Sequence, residues 1–169
     1  VKSNLTKGHI VSGASTLTQQ LSRLTYPRKR TYYDKLVELI RSLRIESLLD
    51  KEQILELYLN RVPLGNNLVG VKAGAMVYFG KSLSRLTVSE AALLASLPKA
   101  PGKLNPYGRN APLLFERKNW VLKKMHINGH IGSDTLNGSL KDAPILKPKS
   151  FPFAAPHFIN QVLPESRSG

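Results

Sequence analysis

The sequence contains no cysteine, few acidic residues and no long hydrophobic run. Without cysteine, the chain can have no disulfide bridge, no thiolate nucleophile and no cysteine-ligated zinc, although a reducing or an extracytoplasmic compartment remains open. Because no run of about 18 apolar residues occurs and no signal peptide opens the sequence, no bilayer-spanning segment is predicted. The hydrophobic content of 41% is still enough for the core of one domain.

The scarcity of acids gives the chain a strongly basic character. Lysine and arginine number 25 against 11 acidic residues, which leaves a net charge of +14. Such an excess predicts affinity for phosphates, anionic lipid head groups or nucleic acid. The charge is concentrated, because residues 1–33 hold six basic residues and no acidic one, and residues 99–124 hold seven against one. This concentration suits the holding of an anionic ligand better than an even spread would.

Apolar residues recur with helical spacing along most of the chain, and no alternating strand pattern or internal repeat is found. The predicted fold class is therefore all-α. Prolines recur without periodicity in the last part, which predicts a domain at residues 1–141 and a Pro-rich linker at residues 142–169. The predicted helices cover residues 15–25, 32–49, 71–79 and 134–140, and three more begin near Asp50, Thr87 and Asn110.

The densest polar cluster is the run G-A-S-T-L-T-Q-Q at residues 13–20. Thr16 and Gln19 have the spacing of a capping box, and a helix N-terminus lined by hydroxyls and amides is also suited to bind a phosphate. Ser15 does not fit a hydrolase nucleophile, because the nucleophile elbow needs glycine two residues later, where this chain has Leu17.

Basic residues follow this helix start closely. Arg23 lies on the same predicted helix, and residues 28–30 read R-K-R. A charge run alone usually indicates a solvated surface, but next to such a helix start it favours an anion site. Further along, Trp120 lies in an apolar helical stripe and is predicted to be a core residue.

Three motifs, in order, resemble the glycosyltransferase family 51 domain of class A penicillin-binding proteins. The family carries G-x-S-T-x-T-Q-Q, which matches residues 13–20, and K-x-x-I-L-x-x-Y-L-N, which matches residues 51–60. It also carries R-x-x-x-V-L, which matches residues 117–122. The matched region is nearly all of residues 1–130. We therefore identify the chain, on this resemblance, as a member of that family.

Two features depart from the family pattern. The family motif R-K-x-x-E appears as D-K-L-V-E, so that Asp34 replaces the arginine while Lys35 and Glu38 remain. An acid there should weaken anion binding unless a metal or Arg30 compensates. The motif E-D-x-x-F-x-x-H-x-G, expected before Gly13, does not occur, and its glutamate is the family's presumed general base. We therefore expect this chain to be inactive.

The resemblance implies a lysozyme-like multi-helix fold and the polymerisation of lipid II into glycan strands, with release of undecaprenyl diphosphate, in cell wall synthesis. It makes Glu38 the second catalytic carboxylate, near the diphosphate and linked to it through Mg²⁺ or Mn²⁺, with no organic cofactor. The implied substrate-binding and diphosphate-binding residues are Ser15, Thr16, Gln19, Gln20, Arg23, Arg30, Lys35, Asn60 and Arg117.

The implied partners are lipid II, the growing glycan strand, an anionic membrane surface and, in the full-length protein, a transpeptidase domain, with no nucleic acid. The implied location is the periplasm or the outer face of a bacterial inner membrane, with an anchor that this chain lacks. Two other functions remain open: a lysozyme-like glycan hydrolase, and a basic helical module that binds anionic lipid.

Overall fold

The computed structural model describes residues 16–26 and 31–148, and within them the chain is helical and contains no β-strand, as predicted. Pro63 and Val69 form an isolated antiparallel bridge. The helices are α1 (Leu17–Thr25), α2 (Tyr32–Leu48), α3 (Lys51–Arg61), α4 (Val71–Gly74), α5 (Val88–Ser96), α6 (Ala111–Ile127) and α7 (Ser133–Lys141), with 3₁₀ turns at Leu83–Arg85 and Leu97–Lys99.

Several of the predicted helix starts coincide with side-chain caps, whereas Asn110 makes no capping hydrogen bond at the start of α6. Asp50 caps α3 and Thr87 caps α5, each in a complete capping box. Thr16 accepts a hydrogen bond from the backbone N–H of Gln19 at 3.2 Å, so it caps α1 as predicted. The reciprocal bond is not formed, because the Oε1 atom of Gln19 is buried without a partner among the described residues. The capping-box prediction for α1 is therefore half right.

The helix predicted at residues 71–79 is present but changes type. It begins as α4 and continues as a π-helix over Ala75–Phe79. Tyr78 and Phe79 are both buried there, and the Tyr78 hydroxyl donates to the carbonyl of Leu64 at 2.8 Å. The segment ends at Gly80 in the left-handed conformation.

The core forms where α4, its π-helical continuation, α5 and α6 meet. Leu64, Tyr78, Leu93, Leu97 and Leu114 have no exposed surface. Helix α5 packs against α6, and α6 packs against α7, while α1 packs on α2 and α3. The apolar helix α5 is therefore central to this core.

Helix α2 differs from most surface helices, because its polar residues are buried and its apolar residues are exposed. Its buried residues are Glu38 and Ser42. The predicted helical period of its apolar residues is confirmed, but they lie at the surface, with exposed fractions of 42–59%. We call Leu36, Leu39, Ile40 and Leu43 the apolar stripe. No helix of residues 16–26 and 31–148 has the length and apolar character needed to cross a membrane.

A buried lysine that the sequence analysis did not single out connects α5, α6 and α7. The Nζ atom of Lys118 donates to the Oγ atom of Ser89 at 3.1 Å and to the carbonyls of Ser139 and Asp142 at 3.2 and 2.8 Å. Only 2% of the residue is exposed, and this burial lowers its pKa. These bonds supply the hydrogen-bond partners that a buried ammonium requires.

The residues after α7 run along the domain rather than away from it. The backbone N–H of Lys147 donates to the carbonyl of Tyr78 at 2.8 Å. The hydroxyl of Tyr107 donates to the carbonyl of Lys147 at 2.9 Å. The domain boundary after residue 141 remains a prediction. The residues that follow it are hydrogen-bonded to the domain at Asp142 and at Lys147.

We expect Lys118→Met to lower the free energy of unfolding by about 1–3 kcal/mol, because it leaves the carbonyl of Ser139 buried without its donor. Urea-induced unfolding followed by circular dichroism measures this change. Lys123→Met, at an exposed site on the same helix, is the control and should stay within about 0.5 kcal/mol of the parent chain. Equal losses in the two variants would show that the buried bonds of Lys118 contribute nothing.

Candidate active site

Glu38 is the centre of the charged cluster formed where α1 packs on α2. Its Oε1 atom accepts from the Nε atom of Arg23 at 2.7 Å, and its Oε2 atom accepts from the Nη2 atom at 2.9 Å. The Nζ atom of Lys35 donates to Oε2 at 3.1 Å. One carboxylate is thus shared by two cations, and a bidentate pairing fixes the guanidinium plane.

The electrostatics of this cluster favour the charged forms of Arg23 and Glu38. The hydrogen bond from Arg23 is the main cause that lowers the pKa of Glu38, with help from Lys35. The same bond raises the pKa of Arg23. The Glu38 side chain is 11% exposed, whereas those of Arg23 and Lys35 are 39% and 42% exposed. The cationic side chains of Arg23 and Lys35 are therefore more exposed to solvent than the carboxylate between them.

A small cleft of about 120 Å³ adjoins Arg23. The hydroxyl of Tyr58 donates to the Oε1 atom of Gln20 at 3.4 Å across it. Burial raises the pKa of Tyr58, so this hydroxyl remains a proton donor at neutral pH. The complete lining combines residues of α1, α3, the loop after α3 and the second 3₁₀ turn: Gln20, Arg23, Leu24, Tyr58, Val62, Pro63 and Pro98.

Asp34, which replaces the family arginine, lies in the first turn of α2. Its Oδ2 atom accepts from the hydroxyl of Thr31 at 2.6 Å, and its backbone N–H donates to the same hydroxyl oxygen at 3.0 Å. An acid in this position is favourable to the helix dipole. Asp34 therefore has a structural function at the start of the helix that carries Lys35 and Glu38.

The other predicted site residues are placed differently. Asn60 is exposed near the end of α3. The guanidinium of Arg117 lies over the ring of Trp120, 4.1 Å from its centroid, and within the described residues no hydrogen bond or ion pair joins it to Glu38. The structure thus unites Gln20, Arg23, Lys35 and Glu38, but leaves Asn60 and Arg117 outside their contacts. Ser15 and Arg30 lie outside the described residues.

The prediction that Trp120 is a core residue is wrong. The side chain is 48% exposed, and the Nζ atom of Lys124 also lies 5.9 Å from the ring centroid. The buried residues of α6 are Leu114, Lys118 and Leu122, so Trp120 does not lie on the buried side of the helix. Contact with two cations lets the aromatic ring lie at the surface.

The charged cluster does not fit a divalent cation. Mg²⁺ and Mn²⁺ prefer several oxygen ligands, whereas both oxygens of Glu38 are already engaged by cations. No group of three His, Cys, Asp or Glu side chains comes together in the part of the chain that the structure describes. The predicted Mg²⁺ or Mn²⁺ link is therefore not supported by these donors.

Comparison with known proteins agrees with the family resemblance of the sequence motifs. Residues 1–126 match the family model of transglycosylases. The chain is 40% identical to penicillin-binding protein 1C of Escherichia coli (strain K12), over 98% of this chain and 21% of that protein. It is 48% identical to penicillin-binding protein 1A of Aquifex aeolicus (strain VF5), over 76% of this chain and 18% of that protein.

A solved structure shows the same fold. The crystal structure of penicillin-binding protein 1A from Haemophilus influenzae matches with a TM-score of 0.54 and 32% identity, over 81% of this chain and 17% of that one. The chain therefore spans about one fifth of the length of these relatives.

Glu38→Gln should lower the free energy of unfolding by about 1 kcal/mol at pH 7, a small value because Arg23 is partly solvated. The folded-state pKa of Glu38 is lowered, so its contribution is complete above the unfolded pKa, near 4.5, and is lost as the pH falls through the folded value. Chemical unfolding measured from pH 7 down to pH 3 should show the two proteins converging. Glu46→Gln, exposed on the same helix, is the control, and a gap that does not narrow would contradict the expected pairing.

Proposed function

The chain belongs to the transglycosylase family, and on that premise we propose that it is part of a peptidoglycan glycosyltransferase. This enzyme joins lipid II units into glycan strands and releases undecaprenyl diphosphate during cell wall synthesis. The observation that carries the proposal is the cationic cluster of Arg23 and Lys35, oriented by Glu38 beside a cleft. Such a cluster is suited to a leaving diphosphate.

In the proposed reaction, the 4-hydroxyl of an incoming lipid II attacks C1 of the growing strand. The bond between C1 and the diphosphate oxygen breaks, and the diphosphate leaves with the electron pair. The charge that develops on this leaving group is stabilised by Arg23 and Lys35, whose cationic ends are partly exposed. The hydroxyl proton must pass to a base.

Glu38 acts in this proposal as a positioning residue rather than as the base. A general base works best with a pKa near the operating pH, and the pKa of Glu38 is lowered by Arg23 and Lys35. Its carboxylate instead fixes the direction of the guanidinium. Gln20, which accepts a hydrogen bond from Tyr58, lines the same cleft and can contact a sugar or a phosphate oxygen. On the family resemblance we assign the remaining diphosphate-binding and donor-positioning contacts to Ser15, Thr16, Gln19, Arg30, Asn60 and Arg117.

Arg23→Ala should weaken the binding of farnesyl diphosphate, a short polyprenyl diphosphate, by at least tenfold, because it removes a charge-assisted donor from the cluster. Isothermal titration calorimetry measures this affinity. Arg85→Ala, which removes an exposed arginine far along the chain from the cluster, is the control for net charge and should change the affinity less than twofold. Equal affinities of the Arg23 variant and the parent chain would refute the proposed site.

The reaction type needs a separate experiment. We expect the full-length protein to convert labelled lipid II into polymer that can be seen on a gel. Arg23→Ala should reduce the rate of this polymerisation by about 10²–10³-fold. A suspension of purified peptidoglycan should keep its turbidity. Clearing of that suspension without polymer formation would instead establish a glycan hydrolase.

The apolar stripe of α2 suggests how the enzyme meets its lipid substrate. Tyr32 and Tyr33 lie at the start of the same helix with exposed fractions of 85% and 68%, and Arg44 is exposed near its middle. Exposed apolar, tyrosine and arginine side chains on one helix are typical of a segment that lies in a lipid interface. We propose that this face rests on the anionic outer surface of the bacterial inner membrane, on the periplasmic side, with a transpeptidase domain in the same protein.

Replacing Leu36 and Ile40 together by glutamate should reduce partition onto vesicles that contain phosphatidylglycerol by at least tenfold, because it removes apolar contact and adds repulsion. Co-sedimentation with the vesicles measures the partition. Leu83→Glu, at another exposed leucine, is the matched control and should leave most of the binding intact. Unchanged sedimentation of the double variant would exclude this face as the membrane contact.

A further inference from the structure

The exposed side of α6 carries apolar and cationic residues in alternation. Leu113, Trp120 and Ile127 follow one another at intervals of seven residues and are 50%, 48% and 70% exposed. Arg117 and Lys124 lie between them and are also seven residues apart. With 3.6 residues per turn, these five residues lie within about 80° of one another on the helix circumference. We call them the mixed stripe; the buried residues of α6 lie on another side of the helix.

The spacing of the mixed stripe indicates a helical partner. Apolar residues repeated every seven positions on one exposed line are the pattern by which a helix packs along another helix. The stripe is about 21 Å long, which a partner helix of four turns would cover. Its intervening positions are cationic instead of apolar. A charged residue at such a position lowers the stability of helix pairing but restricts the choice of partner.

The two cations of the stripe have no acidic partner among the described residues. The guanidinium of Arg117 stacks on the ring of Trp120, and its Nε atom is buried without a hydrogen-bond partner there. Glu116 is the single acid of α6, and no ion pair joins it to either cation. An unpaired buried donor is unfavourable until an acceptor reaches it, and a carboxylate is the strongest such acceptor in proteins. The charge of the stripe is therefore complementary to an acidic surface.

A lipid surface fits the stripe less well than a protein does. A guanidinium lies 4.1 Å from the centroid of the Trp120 ring, and the Nζ atom of Lys124 lies 5.9 Å from it. The ring could enter the acyl chains only if it carried these cations with it, which is costly. The apolar stripe of α2 consists of four aliphatic residues, whereas apolar residues and cations alternate on α6.

A second copy of the chain is disfavoured by charge. In an antiparallel pairing of two mixed stripes about Trp120, Arg117 of one copy would meet Lys124 of the other. In a parallel pairing, each cation would meet its own equivalent. Either arrangement places like charges opposite each other beside an apolar contact, which suppresses the association. The partner must therefore differ from this chain at these positions.

We propose that the mixed stripe binds an acidic amphipathic helix of another protein. Apolar residues of that helix pack on Trp120 and its apolar neighbours, and its carboxylates pair with Arg117 and Lys124. A partly exposed tryptophan flanked by an arginine has the composition of an interface hot spot. This inference does not depend on the proposed glycosyltransferase function. Because Arg117 is also assigned a diphosphate contact on the family resemblance, the variants that test the inference leave Arg117 unchanged.

Trp120 is the only tryptophan of the chain, so its fluorescence reports directly on the stripe. The probe is a tryptophan-free peptide of three heptads with leucine and glutamate at the two seam positions. Titration with this peptide should shift the emission maximum of the parent chain to shorter wavelength in a saturable way, because the ring loses contact with water. A peptide with lysine in place of each glutamate should cause no shift.

The double variant Lys124→Glu and Ile127→Glu keeps the tryptophan and should weaken the affinity for the acidic peptide by at least tenfold. Lys72→Glu with Leu83→Glu makes the same changes at exposed sites on other elements and should weaken it by threefold or less. Leu113→Glu is a further variant in the first turn of α6, where an acid is favourable to the helix dipole. It should weaken the affinity by at least threefold. Circular dichroism should show that all variants are folded.

Three results would overturn the inference. The first is the absence of an emission shift when the acidic peptide is added to the parent chain. The second is an equal loss of affinity in the two double variants, and the third is equal binding of the acidic and the lysine peptides. Each of these would show that the stripe does not recognise an acidic helix.

Two parallel measurements test the other occupants. Binding of the Lys124 and Ile127 variant to phosphatidylglycerol vesicles should fall no further than that of the matched control, and a tenfold larger loss would identify lipid as the occupant. Sedimentation velocity should show a monomeric parent chain, and a dimer that this variant abolishes would identify a second copy. Affinity for farnesyl diphosphate should be equal in the two double variants, whereas failure of the proposed function would appear in Arg23→Ala.

Discussion

The hydrogen-bonded pairing of Arg23 with Glu38 is the contact on which the arrangement of the site depends. It joins α1 to α2 and places a guanidinium beside the cleft that Tyr58 of α3 completes. A paired carboxylate of this kind contributes modest stability when one partner is partly solvated, so direction is its main effect. Because Lys35 shares the same carboxylate, one acidic residue holds two cations that would otherwise repel each other.

This arrangement explains why α2 buries polar residues and exposes apolar ones. A helix in a soluble domain normally turns its leucines inward, whereas α2 buries Glu38 and Ser42 and leaves the apolar stripe outside. The charged cluster needs the inner side, because only there can it meet α1. The leucines therefore lie on the outer side, which a lipid surface would cover. Under the proposed function, one helix holds the diphosphate on one face and the membrane on the other.

Much of the fold could be predicted from the sequence, because its signals are local. Caps at Asp50 and Thr87 and the helical period fixed the helices to within a few residues. The π-helix at Ala75–Phe79 was not predictable in this way, since it depends on the burial of Tyr78 against a distant loop. Trp120 was misplaced because the buried side of α6 is formed by Leu114, Lys118 and Leu122, and the ring lies away from them.

The candidate site shows the same contrast between local sequence signals and contacts that only folding creates. Arg23, Lys35 and Glu38 were found by motif matching, and the structure unites them, whereas Arg117 shares a family motif but lies over Trp120. The side-chain amides of Asn66 and Asn105 are joined by hydrogen bonds although the two residues are 39 positions apart in the sequence. Asparagines in loops most often indicate turns. Nothing short of the folded chain could show that their amides meet, or that Lys118 is buried among carbonyls.

The attachment of Lys147 has a consequence for the geometry of the whole protein. Its N–H and carbonyl are held by Tyr78 and Tyr107, and its side chain lies against Gly80, whose φ of 66° favours glycine. The backbone at Lys147 is therefore held in place on the domain. Tyr78 thus joins the segment after α7 to the loop that contains Leu64, because its carbonyl accepts from Lys147 and its hydroxyl donates to Leu64.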